Sequence, residues 1–264
     1  MILTYKITAL LFLFLSLTGA IVLLFSKRIK MKWVGMTLVW LSILLIASYI
    51  SNLWIYLERE PIRTLGETRL LYTFFLPFIG MIIYFRWKLR WMPLFSVGLA
   101  SVFIIINLAK PENFDKTLMP ALQSVWFAPH VIVYIFAYAL LGTSTLIALK
   151  GLYLLRKNIT VSELSLMADN IVYAGFAFLT FGLLFGALWA KKAWGNYWTW
   201  DPKETWAFLT WLLYLLYVHF RYRFPKQQKT AFLVLALAFV VLMICWFGIN
   251  YLPSAQNSIH VYSQ

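Results

Sequence analysis

Long apolar runs separated by short polar segments dominate the chain. A helix needs about 20 apolar residues to cross the ~30 Å hydrocarbon core of a bilayer. Eight runs approach that length, at approximately 5–26, 33–53, 70–85, 92–108, 126–149, 171–190, 205–220 and 231–249. The third and the seventh are short, so their boundaries are the least well defined. The pattern predicts an all-α, polytopic transmembrane bundle of about eight helices.

Composition supports a membrane protein. Of the 264 residues, 62% are apolar and only 12% are charged, which is too little polar surface to cover a soluble domain of this size. No long polar stretch, linker or internal repeat divides the chain. We therefore predict a single membrane domain over 1–264, with a Trp-rich outer loop at 191–204. The first run is interpreted as a retained helix, because it is longer than a signal-peptide core and no small-residue cleavage site follows it.

Basic residues cluster in alternate loops. The loops after the first, third, fifth and seventh runs hold 14 of the 23 Lys and Arg and only two acids, Glu163 and Asp169. Lys and Arg concentrate on the cytoplasmic side of membrane proteins, so both termini are predicted to be extracytoplasmic. In a soluble protein, a net charge of +14 would indicate nucleic-acid binding as a candidate function. Here it is explained by orientation in a lipid bilayer, and no nucleic-acid partner is expected.

The outer segment WGNYWTWD at 194–201 places three tryptophans within seven residues. If this stretch is helical, Trp194 and Trp198 share one face and Trp200 lies off it. Two indoles on one face form a flat apolar platform that suits a porphyrin. An interfacial aromatic belt is the alternative, although the crowding of the indoles into one loop argues against it.

The Trp-rich segment runs directly into a helix-start signal. Asp201, Pro202 and Glu204 occupy the spacing of N-cap, first and third helical positions. Capping by itself explains Asp201 and Glu204, and it does not exclude a role for Asp201 in orienting the loop.

The chain has three histidines. His130, near the outer end of the fifth helix, and His260, in the outer tail, both flank the face that carries the tryptophans. Two neutral imidazoles on opposite faces of a haem iron make a low-spin bis-histidine site. His219 lies at the other end of the bilayer beside Arg221 and Arg223. It is either a functional intramembrane residue or an interfacial one.

Basic side chains near these positions are candidate partners for haem propionates. Lys191, Lys192 and Lys203 border the tryptophans, and Arg221 and Arg223 neighbour His219. An ordinary solvated charge is the simpler interpretation of any single one of them.

At these residues the sequence closely resembles the CcsA/ResC family of system II cytochrome c biogenesis proteins, part of a wider haem-handling group with a WGxxWxWD motif. Here the WWD motif reads WGNYWTWDPKETWAF at 194–208, and its DPKET continuation resembles the CcsA branch rather than CcmC or CcmF. PALQSVWFAPH, ending at His130, and FGINYLPSAQNSIHVY, containing His260, resemble the family's two outer histidine segments. His219 is placed like the family's transmembrane histidine. WIYLEREPIRTLGET at 54–68 is a weaker match.

The resemblance implies a haem transport and attachment function. Haem b would move from the cytoplasmic side, where His219 takes part, to an outer site in which His130 and His260 ligate the iron. The Trp-rich segment would hold the ring through Trp194, Gly195, Tyr197, Trp198, Trp200 and Asp201. An apocytochrome c would then present Cys-x-x-Cys-His, whose thiols add to the haem vinyl groups.

The resemblance also implies partners and a location. Holocytochrome c synthase (haem lyase) activity would require a separate ResB/CcsB-type membrane subunit, and a thiol-reducing thioredoxin-like protein is a further candidate partner. The expected location is the bacterial inner membrane, with the active site on the extracytoplasmic side.

Alternative functions remain open at this point. The protein could be a haem carrier or exporter that presents haem without catalysing thioether formation. A b-type cytochrome that moves electrons across the membrane would usually need a second histidine pair, which His219 alone cannot supply. A transporter without haem leaves the two outer histidines and the Trp-rich segment unexplained.

Overall fold

The structure, a computed structural model, describes residues 2–109 and 120–251, and within these ranges all regular secondary structure is helical. The described helices are α1 (Ile2–Phe25), α2 (Ile29–Leu57), α3 (Leu65–Trp87), α4 (Met92–Ala109), α5 (Phe127–Leu155), α6 (Ser162–Trp194), α7 (Pro202–Arg223) and α8 (Gln228–Trp246). Two short 3-10 helices cover Pro120–Gln123 and Gly248–Tyr251. The predicted all-α bundle of about eight helices is confirmed.

In the described part of the chain, seven helices are long and apolar enough to cross a membrane, and α7 is the exception. Its 22 residues suffice in length, but it carries charged groups at both ends and is rich in Trp and Tyr. The eight predicted runs therefore all become helices, and seven of them qualify as membrane spans by length and composition.

Several helices extend well beyond their apolar runs. At 33 residues, α6 is about 50 Å long at ~1.5 Å per residue, which exceeds the hydrocarbon thickness. Asp169, interpreted from the sequence as a loop residue, consequently lies inside α6. The connections that the sequence placed at 54–69 and 191–204 shrink to residues 58–64 and 195–201. The extent of the single membrane domain stays a prediction.

Helices α1 to α4 belong to one compact unit. In it α1 packs against α2 and α4, and α3 packs against the same two helices. A core cluster that includes Val39, Ile43, Met81, Tyr84 and Val97 holds them together. Burial of these apolar side chains is what fixes the mutual positions of the helices.

The connection between α2 and α3 is organised by a buried carboxylate. Glu67 is only 2% exposed, and Arg59 binds it in a bidentate fashion at 2.9 and 3.1 Å. Thr64 and Glu67 form the capping box that starts α3. Next to them, a hydrogen bond from Arg63 holds the pKa of the Glu60 carboxyl below its usual value. Arg59 and Arg63 thus neutralise Glu67 and Glu60 within one short connection. This connection lies in the segment 54–68, the weaker of the family matches.

Helices α5 to α8 belong to a second compact unit. In it α5 packs against α6 and α8, and α7 packs against the same two helices. A buried polar cluster ties the end of α7 to α6. Asp169 accepts two hydrogen bonds from Arg221, both at 2.8 Å, and one from the Tyr217 hydroxyl at 2.7 Å.

Candidate functional site in the second unit

His130 lies in the first turn of α5 and faces α6. Its ring Nδ1 is 2.9 Å from the carbonyl oxygen of Gly182. The imidazole stacks on the indole of Trp189, with ring centroids 5.4 Å apart and planes at 26°. The edge of Tyr134, one turn further along α5, approaches at 4.7 Å. His130 is therefore held on three sides by neighbouring groups.

Trp189 is the centre of the aromatic cluster around His130. Its Nε1 donates to the Ala121 carbonyl at 2.8 Å, which ties α6 to the 3-10 helix before α5. Phe127 and Trp194 meet the same indole edge-on at 5.1 and 4.8 Å. The sequence interpretation missed Trp189 because it lies in an apolar run. Its position five residues before Trp194 is the one signal that could have revealed it.

The Trp-rich segment is not one helix. Helix α6 ends at Trp194, and Gly195 terminates it in the left-handed region with φ +87°, a conformation that glycine adopts at little cost. Trp194 therefore remains with Trp189, and Trp194 and Trp198 do not share a helical face. Trp198 and Trp200 instead lie in the connection, nearly perpendicular to each other with centroids 5.8 Å apart.

Both connection tryptophans pack on α7. Phe208 meets the Trp198 ring at 6.4 Å and the Trp200 ring at 5.9 Å. Trp200 adopts φ +59°, which is strained for a bulky side chain and costs roughly 1–3 kcal/mol. The indole Nε1 of Trp198 is buried and meets no acceptor among residues 2–109 and 120–251. Such a donor can serve a ligand.

Two acidic residues at the start of α7 fix the connection. One oxygen of Glu204 accepts hydrogen bonds from the backbone N–H groups of Thr199 at 2.7 Å and Asp201 at 3.2 Å. Asp201 accepts from the Lys203 N–H at 2.9 Å. The capping box predicted from the sequence is thereby confirmed, and it positions the residue that precedes it, Trp200.

Comparison with known proteins identifies the family. The family model described as cytochrome C assembly protein matches residues 3–255.

The chain belongs to this cytochrome c assembly family.

Curated relatives place it with CcsA. The cytochrome c biogenesis protein CcsA of Cuscuta reflexa is 32% identical over 249 residues, covering 80% of this chain and 80% of that protein. The CcsA of Ranunculus macranthus is 31% identical over 266 residues, covering 82% and 83%. That of Chlamydomonas reinhardtii is 38% identical over 168 residues, covering 61% and 48%. The CcsA resemblance is confirmed, and the chain is a cytochrome c biogenesis protein.

A solved structure shares the fold. Cytochrome c Heme Lyase CcmF superposes with a TM-score of 0.73 at 18% identity. The match covers 93% of this chain and 46% of that one, so the CcsA-family chain spans about half the length of CcmF.

The candidate propionate partners of this CcsA-family protein differ in their surroundings. Lys191 Nζ donates to the Gly195 carbonyl at 2.7 Å and lies 5.4 Å from the centre of the Tyr197 ring. These two contacts hold the start of the α6–α7 connection against the end of α6. Lys192 is exposed and Lys203 is half-buried. Both Lys191 and Lys192 are exposed, but Lys191 also has a structural role in the loop.

At the far end of α7 the two arginines differ in the same way. The guanidinium of Arg221 is bound by Asp169 and by the Pro225 carbonyl at 2.7 Å. A propionate contact from Arg221 would require displacement of Asp169. Arg223 is exposed, as is His219, whose Nδ1 is 2.9 Å from the Leu215 carbonyl oxygen. His219 and Arg223 are one turn apart and share a face.

His260 lies outside the described residues. The described chain ends just after α8, where Trp246 contacts Tyr138 of α5 with ring centroids 5.3 Å apart. Tyr138 in turn meets Tyr134 at 5.4 Å, and Tyr134 touches His130. A continuous aromatic path therefore connects the end of α8 with His130.

Proposed function

We propose that this protein holds haem b at the outer face of the membrane, with the iron between His130 and His260, for covalent attachment to an apocytochrome c. The setting of His130 carries the proposal. Its Nδ1 lies 2.9 Å from the Gly182 carbonyl oxygen, and an imidazole held by a carbonyl through one nitrogen offers the other to a metal. Membership of a cytochrome c assembly family supports the same role.

Chain reach is compatible with the second ligand. His260 follows Tyr251 by nine positions, and an extended chain advances at most ~3.6 Å per residue, so about 30 Å is available. The aromatic path from Trp246 to His130 starts from this same end of the described chain. Bis-histidine ligation is the arrangement that two neutral imidazoles produce.

Aromatic surface is available for the porphyrin on both sides of the connection. Trp194 continues the cluster around His130, and Trp198 and Trp200 present indoles from the connection itself. The buried Nε1 of Trp198 is a donor for a propionate oxygen or a peptide carbonyl. We assign the shaping of this surface to three further residues: Gly195, Tyr197 and Asp201.

Charged residues would hold the propionates at two places. Lys191 and Lys192 are both exposed, but Lys191 Nζ already donates to the Gly195 carbonyl. At the outer site Lys192 is therefore the best-suited cation, with Lys203 and Lys191 as further candidates. At the other end of α7, Arg223 shares a face with His219, and this pair would receive haem on the cytoplasmic side. Arg221 is better suited to anchoring α7 because Asp169 binds it.

The chemistry required of the site is positional. Each thiol adds across a vinyl double bond: sulfur bonds to one carbon, the thiol hydrogen ends on the other, and the π bond is lost with no net oxidation. His130 and the tryptophans would hold the vinyl groups near the Cys-x-x-Cys-His thiols, which converts a bimolecular encounter into an oriented one. We propose that synthase activity needs a ResB/CcsB-type subunit, with a thioredoxin-like protein keeping the thiols reduced.

The proposed location is the bacterial inner membrane, with both termini extracytoplasmic. Reporter fusions after Lys157, in a basic loop, and after Tyr197, in the Trp-rich connection, test this sidedness. We expect a cytoplasmic signal from the first fusion and an extracytoplasmic signal from the second. The reverse result would overturn the proposed outer site.

Histidine substitutions test haem binding. The variants His130→Gly and His260→Gly, purified with the partner subunit and haem, are expected to lose most of the haem Soret absorption and to regain it when imidazole is added. His219→Gly is the matched control: it should lower haem delivery but leave the spectrum of the haem that arrives unchanged. Full haem binding by either outer-histidine variant would refute the proposal.

Co-expression with an apocytochrome c separates a lyase from a carrier. Covalent haem on the apocytochrome is expected with the wild-type protein and its partner, and not with His130→Gly. If the wild-type protein transfers haem without any thioether product, the carrier function is correct instead.

A further inference from the structure

Two glycines of α6 face two aromatic rings of α5. Gly182 and Gly186 are one helical turn apart and share a face, as do His130 and Tyr134. A Cβ at Gly182 would lie 2.8 Å from Cδ1 of Tyr134, and a Cβ at Gly186 would lie 2.8 Å from Cε1 and 2.9 Å from Nδ1 of His130. All three distances are shorter than real Cβ atoms show. The rings occupy their positions because these two residues have no side chain.

The close contact between α5 and α6 also sets the tautomer of the His130 imidazole. A carbonyl oxygen only accepts hydrogen bonds, so the 2.9 Å contact between His130 Nδ1 and the Gly182 oxygen requires the proton on Nδ1. In the neutral ring Nε2 then carries the lone pair. Trp189 stacks on the ring at 26° and limits its rotation away from the carbonyl. The geometry around His130 thus leaves Nε2 as the ring nitrogen that can bind a metal.

We propose that Gly182 and Gly186 form a side-chain-free packing surface that orients His130 so that Nε2 faces the haem iron. The Gly182 carbonyl, through its hydrogen bond to Nδ1, sets the donor strength of this ligand. The inference rests on the proposed function, since it specifies how His130 performs it. A hydrogen bond to the remote N–H makes an imidazole more basic towards its metal and typically accounts for about 10–100-fold in metal affinity. Stronger donation favours ferric iron and lowers the haem reduction potential.

The decisive perturbation is Gly186→Ala. The added methyl group meets the Nδ1 edge of His130 and displaces the ring from the Gly182 carbonyl. Haem affinity is expected to fall about 10–100-fold, and the midpoint potential of the remaining haem is expected to rise. A purely structural role for Gly186 would lower stability without shifting the potential.

Two other glycines provide matched controls. Gly175→Ala introduces an equally close contact, 2.8 Å from Cδ2 of Leu141, between the same two helices but away from His130. Gly98→Ala, in α4, meets nothing within 4 Å. Both variants are expected to keep the wild-type affinity and potential per folded molecule. If Gly175→Ala shifts the midpoint potential as much as Gly186→Ala does, the proposed role of Gly182 and Gly186 in orienting His130 is refuted.

A second variant keeps the test valid if Gly186→Ala folds poorly. In His130→Gly the tethered ring is gone, so free imidazole can bind the iron in its own orientation. The double variant Gly186→Ala/His130→Gly with imidazole is then expected to match His130→Gly with imidazole, because the methyl group has no ring to displace. A deficit confined to the double variant would show general damage to α5–α6 packing and overturn the inference. Unchanged haem binding in His130→Gly without imidazole would instead refute the proposed function.

Discussion

Removal of Asp169 from the buried cluster between α6 and α7 is expected to destabilise the second unit strongly. Asp169 and Arg221 are each 8% exposed as side chains. The carboxylate accepts hydrogen bonds from Arg221 at 2.8 Å twice and from Tyr217 at 2.7 Å. In Asp169→Ala the Arg221 guanidinium stays buried and loses both hydrogen bonds to the carboxylate. Its hydrogen bond to the Pro225 carbonyl remains.

The magnitude follows from that orphaned charge. Removal of one partner of a buried ion pair costs about 3–5 kcal/mol, which corresponds to a fall in melting temperature on the order of 10 °C for a protein of this size. Thermal unfolding of the detergent-solubilised protein measures it. Tyr217→Phe removes one of the three bonds and is expected to cost about 1–3 kcal/mol.

Two controls decide whether burial of the charge is the cause. Glu163→Ala removes an exposed acid from the first turn of the same helix and should cost at most about 1 kcal/mol. Asp169→Leu/Arg221→Met removes both charges and should recover most of the loss, because apolar replacement of a buried pair is often neutral. Equal destabilisation by Asp169→Ala and Glu163→Ala would refute the reasoning, as would a double variant no more stable than Asp169→Ala.

Three further outcomes concern the connections. Gly195→Ala places a Cβ in the left-handed region at φ +87° and should lower stability by about 1–2 kcal/mol in thermal unfolding; an unchanged melting temperature would contradict the assigned cap. Glu204→Gln replaces the carboxylate that holds the Trp-rich connection. It should lower the free energy of unfolding by about 1 kcal/mol and reduce bound haem, whereas Glu163→Gln should do neither. Arg63 lowers the pKa of Glu60 in the folded state, so this ionised carboxylate stabilises the fold at neutral pH and loses that contribution as the pH falls below about 4.5. Because Glu60 is 35% exposed, the contribution is under ~1 kcal/mol, and Glu60→Gln should flatten the acid limb of a stability profile by that amount.

The number and type of the helices were predictable because a hydrocarbon phase leaves an isolated backbone no other way to satisfy its hydrogen bonds. Their ends were not. Once started, α6 continues through polar and charged residues outside the apolar run 171–190, from Ser162 to Trp194. Asp169 therefore became a buried helix residue, whose partners Tyr217 and Arg221 lie 48 and 52 positions away.

Local chemistry was as informative as hydrophobicity at one point in the candidate site. The Asp201-Pro202-Lys203-Glu204 signal correctly predicted the capping box of α7, because a cap involves only neighbouring residues. A shared face for Trp194 and Trp198 depended on helix continuing through Gly195. The left-handed conformation of that glycine ends α6 and separates the two indoles.

The sequence by itself determined an all-helical membrane protein of the CcsA family and singled out His130 and the Trp-rich segment, because apolar length, caps and motifs are written in consecutive residues. Only the tertiary structure decided what surrounds His130. Gly182 and Trp189 reach it from α6, more than fifty positions away. Apart from the five-residue spacing between Trp189 and Trp194, nothing in their own neighbourhoods distinguishes them from other residues of an apolar helix. Contacts between helices are set by the packing of complete faces, so the environment of a ligand histidine is fixed only when the helices come together.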